Sequence, residues 1–141
     1  MIRKCCLLIL TTLLIAVFIH CGKDSSSPAG PGTGKTDPSF ASDIQPIFTG
    51  TCALSGCHSG PGQAGLLLSQ GQSYSNLVNV TSTQVPALKR VKPSKIDSSY
   101  VVNKLDGTSP LVGVKMPKNG TLSAANIQLI KNWISKGAKN N

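Results

Sequence analysis

The sequence predicts a small all-α domain in which short helices are joined by long loops. Apolar residues recur three and four positions apart at both ends of the candidate domain, which is the spacing of one helix face. The region between these ends contains many of the chain's 14 glycines and 9 prolines, so its connections are expected to be long and irregular. No internal repeat is present, and little sheet is expected.

The first helix is expected to begin with Asp37 as its cap and Pro38 at its first helical position. Its apolar face contains four residues: Phe40, Ile44, Ile47 and Phe48. Pro46 lies inside this pattern and is expected to kink the helix or to restart it.

Three further helices are expected along the chain. Residues 73–80 and 98–105 are each predicted to form a short helix that starts at a serine. The last helix is predicted to start after Ser123 as its N-cap and to end at Gly137. Its apolar face is formed by Ile127, Ile130, Trp133 and Ile134. The apolar run 66–68 is too short to assign.

Residues 1–20 have the pattern of a bacterial signal peptide, in which a short basic segment precedes a run of about 15 mostly apolar residues. That run is short for a membrane span. Cys21 follows, and the junction resembles the lipobox of bacterial lipoproteins, with His20 where a small residue is usual. The resemblance implies that Cys21 is acylated, and an ordinary signal or an uncleaved anchor is the alternative. We therefore expect an exported protein, periplasmic or at the cell surface, with a lipid anchor in a bacterial membrane.

Residues 21–36 are built mainly from glycine, serine, proline and threonine, without apolar periodicity. Such a segment cannot bury enough apolar surface to fold, so it is expected to be a flexible tether. The remaining residues, 37–141, are enough for one small domain but not for two.

The small number of titratable side chains excludes several kinds of active site. His20 falls in the predicted signal, so His58 is the single imidazole of the domain. A histidine-rich zinc site and bis-histidine haem ligation within one chain are therefore excluded. The chain has no glutamate, and its five aspartates are scattered, so no acid/base pair indicates an enzyme.

Two thiols and the imidazole lie together in a C-x4-C-H motif formed by Cys52, Cys57 and His58. Three explanations are common for such a group: covalent attachment of haem, a disulfide, or a zinc site. A zinc site is excluded because a structural site needs four ligands and the motif offers three. The usual haem attachment motif is C-x-x-C-H, so the motif alone leaves haem and a Cys52–Cys57 disulfide open.

A single methionine shifts the balance toward haem. Met116 stands in a loop rich in glycine and proline, just before the last helix, and Met1 is the initiator. His/Met ligation is the arrangement found in electron-transfer cytochromes c, where the methionine raises the reduction potential. Gap-filling in the core is the alternative role for a lone methionine.

The order of these features resembles a class I c-type cytochrome domain: a helix, C-x4-C-H, a loop, Met-Pro and a terminal helix. More narrowly, the chain is similar to the single-haem domains of bacterial exported proteins that carry C-x4-C-H motifs. The similarity extends over residues 38–139 and includes the segments SDIQPIF (42–48), MPKNG (116–120) and WISKGA (133–138).

This resemblance implies one haem c per chain. Cys52 and Cys57 would attach it through thioethers, His58 would be the proximal iron ligand and Met116 the distal one. It also implies that the first and last helices cross, with Phe40 or Ile44 meeting Ile130 and Trp133. The domain has few aromatic residues for its size, and a porphyrin would add apolar material to its core.

The excess of 14 basic over 5 acidic residues suggests what kind of partner the domain meets. Four basic residues cluster in sequence (Lys89, Arg90, Lys92 and Lys95), and Lys115 and Lys118 flank Met116. For any single residue a solvated surface is the simpler explanation, but together they would steer acidic redox partners. Nucleic acid is not expected, because aromatic residues are not interleaved with the basic ones.

Three functions from different classes follow from these features. The first is a membrane-tethered one-electron carrier that cycles between Fe(III) and Fe(II) with His/Met ligation and binds no substrate. The second is a haem sensor, enzyme or subunit of a larger redox complex, which needs an open or labile sixth position. The third is a haem-free module held by a Cys52–Cys57 disulfide. The pattern favours the first.

Overall fold

The computed structural model describes residues 34–60 and 62–141. They form four α-helices: α1 (Gln45–Thr51), α2 (Ser73–Leu77), α3 (Tyr100–Asp106) and α4 (Ala124–Ser135). A π-helical turn, Phe40–Ile44, leads directly into α1, and 3₁₀ turns at Gln63–Gly65 and Ile96–Ser98 lie in the loops. Within these ranges the β-structure consists of isolated bridges, so the predicted all-α class is confirmed.

Predictions for the first part of the chain fall largely outside the described residues. The signal peptide, Cys21 and most of the tether lie there. Lys35, at the end of the predicted tether, contacts the domain, since its carbonyl accepts a hydrogen bond of 2.9 Å from the Asn132 side chain. In the described part of the chain, no helix is both long enough and apolar enough to cross a membrane.

The first helical segment is capped by Ser39, so the prediction of Asp37 was wrong. The Ser39 hydroxyl accepts a hydrogen bond from the Ser42 amide, and the Ser39 amide donates to the Asp43 carboxylate at 2.7 Å. Such reciprocal bonds satisfy amides that a helix start leaves free. The predicted restart at Pro46 is confirmed, because the winding changes from π to α one residue before it.

The middle helices are displaced from their predicted bounds by backbone pairing. α2 ends at Leu77 because the next residues turn to pair with a distant segment: the Asn79 amide donates to the Val91 carbonyl at 2.9 Å. α3 is preceded by Ser99 instead of starting at Ser98, which belongs to the 3₁₀ turn.

Both ends of α4 are as predicted. The Ser123 hydroxyl accepts a hydrogen bond from the Asn126 amide at 3.2 Å, which makes it the N-cap. At the other end, Gly137 has a φ of +96°. The Gly137 amide donates to Ile134 and the next amide donates to Trp133, the paired bonds of a Schellman motif.

The core lies where the first and last helical segments cross, as the resemblance implied. The Phe40 and Trp133 rings are 5.3 Å apart between centroids, and Tyr74 packs edge-on against Phe40 at 5.2 Å. The largest fully buried side chains are Trp133, Phe48, Ile44, Leu77, Ile130 and Ile134. Four of the domain's five aromatic rings gather at this crossing, and the C-x4-C-H segment contains only aliphatic apolar residues.

The buried carboxylate of Asp43 gives the fold a measurable dependence on acid. Burial acts to raise the pKa of Asp43, but hydrogen bonds from Lys35 and the Ser39 amide outweigh it and hold the pKa below the ordinary 3.8. The resulting stabilisation is present above the ordinary pKa and is lost as the pH falls through the lower, folded-state value. We expect Asp43→Asn to flatten the decline of the urea midpoint between about pH 5 and about pH 2.5.

The control for this measurement is Asp97→Asn, which removes the same charge from an exposed side chain. Its urea midpoint should decline with acid as the wild type does. Equal flattening in both variants would show that the acid sensitivity does not come from the Asp43 contacts.

Candidate functional site

The C-x4-C-H motif forms one closed loop at the end of α1. Cys52 is the C-cap of that helix, and its amide donates to the Phe48 carbonyl at 2.9 Å. The Cys57 amide donates to Leu54 at 2.9 Å, and the His58 amide returns to the Cys52 carbonyl at 3.0 Å. The backbone therefore brings the first cysteine next to the histidine, with the second cysteine immediately before it.

The two thiols of the loop differ in environment, and both are free. The Cys52 side chain is half-buried, with its sulfur 3.4 Å from the Thr51 hydroxyl. Burial raises the pKa of the Cys52 thiol, and the Thr51 hydrogen bond opposes that rise. Cys57 is exposed. No bond joins the Cys52 and Cys57 sulfurs in the structure.

The ring of His58 is oriented by a backbone carbonyl. Its Nδ1 lies 3.1 Å from the Leu66 oxygen, and because a carbonyl only accepts, Nδ1 carries the proton. In the neutral ring Nε2 is then the nitrogen with the lone pair that a metal ion needs, and a carbonyl partner on the other nitrogen is the usual support of a ligating histidine. The sequence offered no signal for the part played by Leu66, since its side chain takes no part in this bond.

The segment that contains Leu66 is itself held at its far end. The Leu68 amide donates to the His58 carbonyl at 2.8 Å, and Leu68 is buried. The Leu68 carbonyl accepts a hydrogen bond of 3.1 Å from Gln45, a buried side chain of α1. His58 and its carbonyl partner are thus attached to the same helix that carries Cys52.

Met116 belongs to a second loop, residues 111–120, which we call the Met116 loop. Its amide donates to the Lys104 carbonyl at 2.7 Å, and the Lys104 ammonium donates to Val112 and Val114 at 2.9 and 2.7 Å. Burial lowers the pKa of Lys104. α3 therefore carries this loop, and no hydrogen bond among the described residues joins it to the C-x4-C-H loop.

Exposed apolar side chains mark both loops. Leu54, Val112 and Val114 are 49%, 46% and 50% exposed, and they are the large apolar residues most open to solvent in the described ranges. Leu54 stands between the two cysteines, and the valines precede Met116 by a few residues. Both loops that contain the predicted ligands therefore also carry exposed apolar side chains, against which an apolar group could pack.

One of the predicted surface cations is misplaced. Arg90 is buried and donates hydrogen bonds to backbone carbonyls, so assigning it to a solvated basic cluster was wrong. Lys92 and Lys95 are exposed, as are Lys115 and Lys118 beside Met116.

Two open clefts lie away from these loops. One of about 310 Å³ is lined by Phe40, Gln45 and Tyr74 among others, and one of about 410 Å³ lies between Ile96 and Ser135. Neither contains a thiol or His58. Across residues 34–60 and 62–141, no three His, Cys, Asp or Glu side chains converge on a point where a metal ion could bind.

A scan against protein-family models found no match to this chain. Searches of curated proteins and of solved structures also found none. The functional interpretation therefore rests on the chemistry of the two loops.

The donor set of those loops fits a covalently attached haem. Attachment needs two free thiols a few residues apart, and axial ligation needs an imidazole with its Nε2 unprotonated. Cys52, Cys57 and His58 meet these requirements in one loop. Met116 offers a thioether in the second loop, and both loops contain exposed apolar side chains.

Proposed function

We propose that this chain is a single-haem c-type cytochrome of the class I type that carries one electron at a time. The observation that supports this most is the hydrogen bond from His58 Nδ1 to the Leu66 carbonyl in a loop that also holds two free thiols. This bond holds the ring through Nδ1 and leaves Nε2 as the nitrogen that could face an iron, directly after the second of two cysteines.

Each residue of the site has a defined part in the proposal. The S–H groups of Cys52 and Cys57 would add across the two vinyl groups of the haem, with each sulfur bonding to one vinyl carbon and its hydrogen to the other, so that the overall step involves no net oxidation or reduction. His58 would hold the iron through Nε2, and Met116 would hold it through its sulfur. When bound, the haem supplies a one-electron couple between ferric and ferrous iron.

Two protein ligands distinguish a carrier from an enzyme. If His58 and Met116 both bind the iron, no position is left for a substrate. The protein then needs only to hold the ligands still while an electron enters or leaves. The hydrogen bonds that fix the His58 ring and the Met116 amide suit that task.

The surroundings of Met116 suggest how a redox partner would dock. Lys115 and Lys118 are exposed, and Val112 and Val114 present apolar surface in the same loop. A partner with an acidic surface would be attracted to the charges, and its association would weaken as salt rises. The predicted anchor at Cys21 would keep the domain near a bacterial membrane, in the periplasm or at the cell surface.

The experiment that tests the proposal is an absorption spectrum of the full chain exported together with cytochrome c maturation proteins. We expect sharp bands in the dithionite-reduced state that survive acid-acetone extraction, because the haem is covalently bound. In the oxidised state we expect a far-red sulfur-to-iron band that reports Met116.

Cys52→Ser and Cys57→Ser should each lose one thioether, and the double variant should release its haem into acid-acetone. Thr51→Val, which keeps both thiols, is the control and should retain its haem in acid-acetone. A colourless wild type that contains no free thiol would refute the proposal and would indicate the disulfide-held module instead.

A further inference from the structure

Arg90 is a buried cation with no carboxylate partner among the described residues. Its guanidinium donates to three backbone carbonyls: Asn76 at 2.9 Å, Ala64 at 3.2 Å and Gly65 at 3.0 Å. The planar fork of arginine can hold acceptors in several directions at once, whereas a lysine ammonium cannot reproduce that geometry. The side chain therefore ties the turn at residues 63–65 to the end of α2.

The turn that Arg90 holds has an unfavourable backbone conformation. Ala64 has a φ of +55° and Gly65 a φ of +64°. The left-handed region is unfavourable for alanine, and such conformations persist only where surrounding contacts impose them. The Thr83 hydroxyl adds a hydrogen bond of 3.1 Å to the same Ala64 carbonyl.

The next residue after this turn is Leu66, whose carbonyl accepts the hydrogen bond from His58. The Leu66 amide also bonds back across the turn to Gln63 at 3.1 Å. A shift of the turn would therefore move the Leu66 carbonyl and release the His58 ring. Arg90 bonds to the Gly65 carbonyl and His58 bonds to the Leu66 carbonyl, so two consecutive backbone residues connect the two side chains.

Arg90 also connects the two loops that carry the predicted ligands. Its carbonyl accepts a hydrogen bond of 3.1 Å from the Val101 amide in α3, the helix that supports the Met116 loop. Its side chain supports the turn behind His58. One residue thus links α3 to the segment that fixes the His58 ring.

We propose that Arg90 is a positioning residue for His58, acting through the turn at residues 63–65 and the Leu66 carbonyl. The inference rests on the proposed function for the ligand role of His58. The hydrogen-bond geometry stands without it.

The test compares full-length wild type with Arg90→Lys, which keeps the charge and loses the fork. Hydrogen exchange should show roughly tenfold or greater loss of protection at the Leu66 and Leu68 amides. The reduction potential should rise, because a weaker Nδ1 hydrogen bond makes the imidazole less basic and stabilises the oxidised iron less.

Lys89→Gln is the control for charge, since Lys89 donates to the Thr81 hydroxyl and does not contact the turn. It should leave exchange at Leu66 and Leu68 unchanged. The reduction potential of Lys89→Gln should fall, because removing a positive charge favours the oxidised state. The opposite signs separate the hydrogen-bond effect from a general charge effect.

Thr83→Val removes the hydrogen bond from an exposed side chain to the same turn. It tests the role of the turn if Arg90→Lys does not fold. A smaller loss of protection, confined to the same two amides, would support the proposal. Unchanged exchange in Thr83→Val, or unchanged exchange and potential in a folded Arg90→Lys, would overturn it. A wild type without covalent haem would refute the proposed function, while the exchange results would still decide the role of Arg90.

Discussion

Gly62→Ala should destabilise the domain by about 2–4 kcal/mol and disturb His58. A Cβ atom at this position would lie 2.5 Å from the Leu66 oxygen and 2.9 Å from its carbon. That oxygen is the acceptor for His58 Nδ1, and the contact is with backbone, which cannot rotate away. The φ of +64° and ψ of 130° at Gly62 form a backbone conformation that alanine rarely adopts, which adds strain to the clash.

Gly71→Ala is a matched control, because Gly71 has a φ of +80° and open space around its Cβ position. It should cost only the conformational strain, about 1–2 kcal/mol. Urea unfolding measures both losses, and the reduced-state spectrum shows whether haem ligation changes in Gly62→Ala alone. Equal losses and identical spectra in the two variants would contradict the contact between position 62 and the Leu66 carbonyl.

Local signals in the sequence predicted the parts of the fold that local forces determine. Ser123 and Gly137 were placed correctly, because a hydroxyl at a helix start and a glycine after its end act on backbone groups within a few residues. The first cap was misplaced at Asp37 because several capping residues precede the helix. Ser39 is favoured over Asp37 as the N-cap because its amide donates a hydrogen bond to the Asp43 carboxylate.

Long-range contacts explain what the sequence could not show. α2 stops at Leu77 because the residues after it pair with Val91, a partner that periodicity cannot reveal. The sequence predicts Arg90 as a surface cation because its neighbours in sequence are basic. Its burial depends on carbonyls from residues 64, 65 and 76, which only the folded chain brings together.

In the candidate site, too, the sequence indicated some of the groups and only the structure showed the others. The thiols, His58 and Met116 could be proposed as a set because the C-x4-C-H and Met-Pro motifs together resemble those of c-type cytochromes, which implies these roles. The supports of the site are mainly backbone groups: the Leu66 carbonyl for His58 and the Lys104 carbonyl for the Met116 amide. Backbone acceptors have no side-chain signature, so the structure was needed to find them.

Met116→Leu should abolish the far-red band of the oxidised protein and lower its reduction potential. Leucine has nearly the same volume as methionine, so the fold should lose no more than about 1.5 kcal/mol. The thioether ligand favours ferrous iron, and its loss removes that preference. Exogenous imidazole should then bind where it does not bind in the wild type. Spectra report the far-red band and the binding of imidazole, potentiometric titration reports the potential, and urea unfolding reports the stability.

Leu111→Ala is the control for disturbance of the Met116 loop, since Leu111 is half-buried in the same loop and has no sulfur. It should keep the far-red band and the potential, even where stability falls. If Met116→Leu also kept both, the sulfur would not be a ligand and Met116 would fill space. If Leu111→Ala lost the band as well, the loop's packing on α3 would be needed to hold Met116 in place.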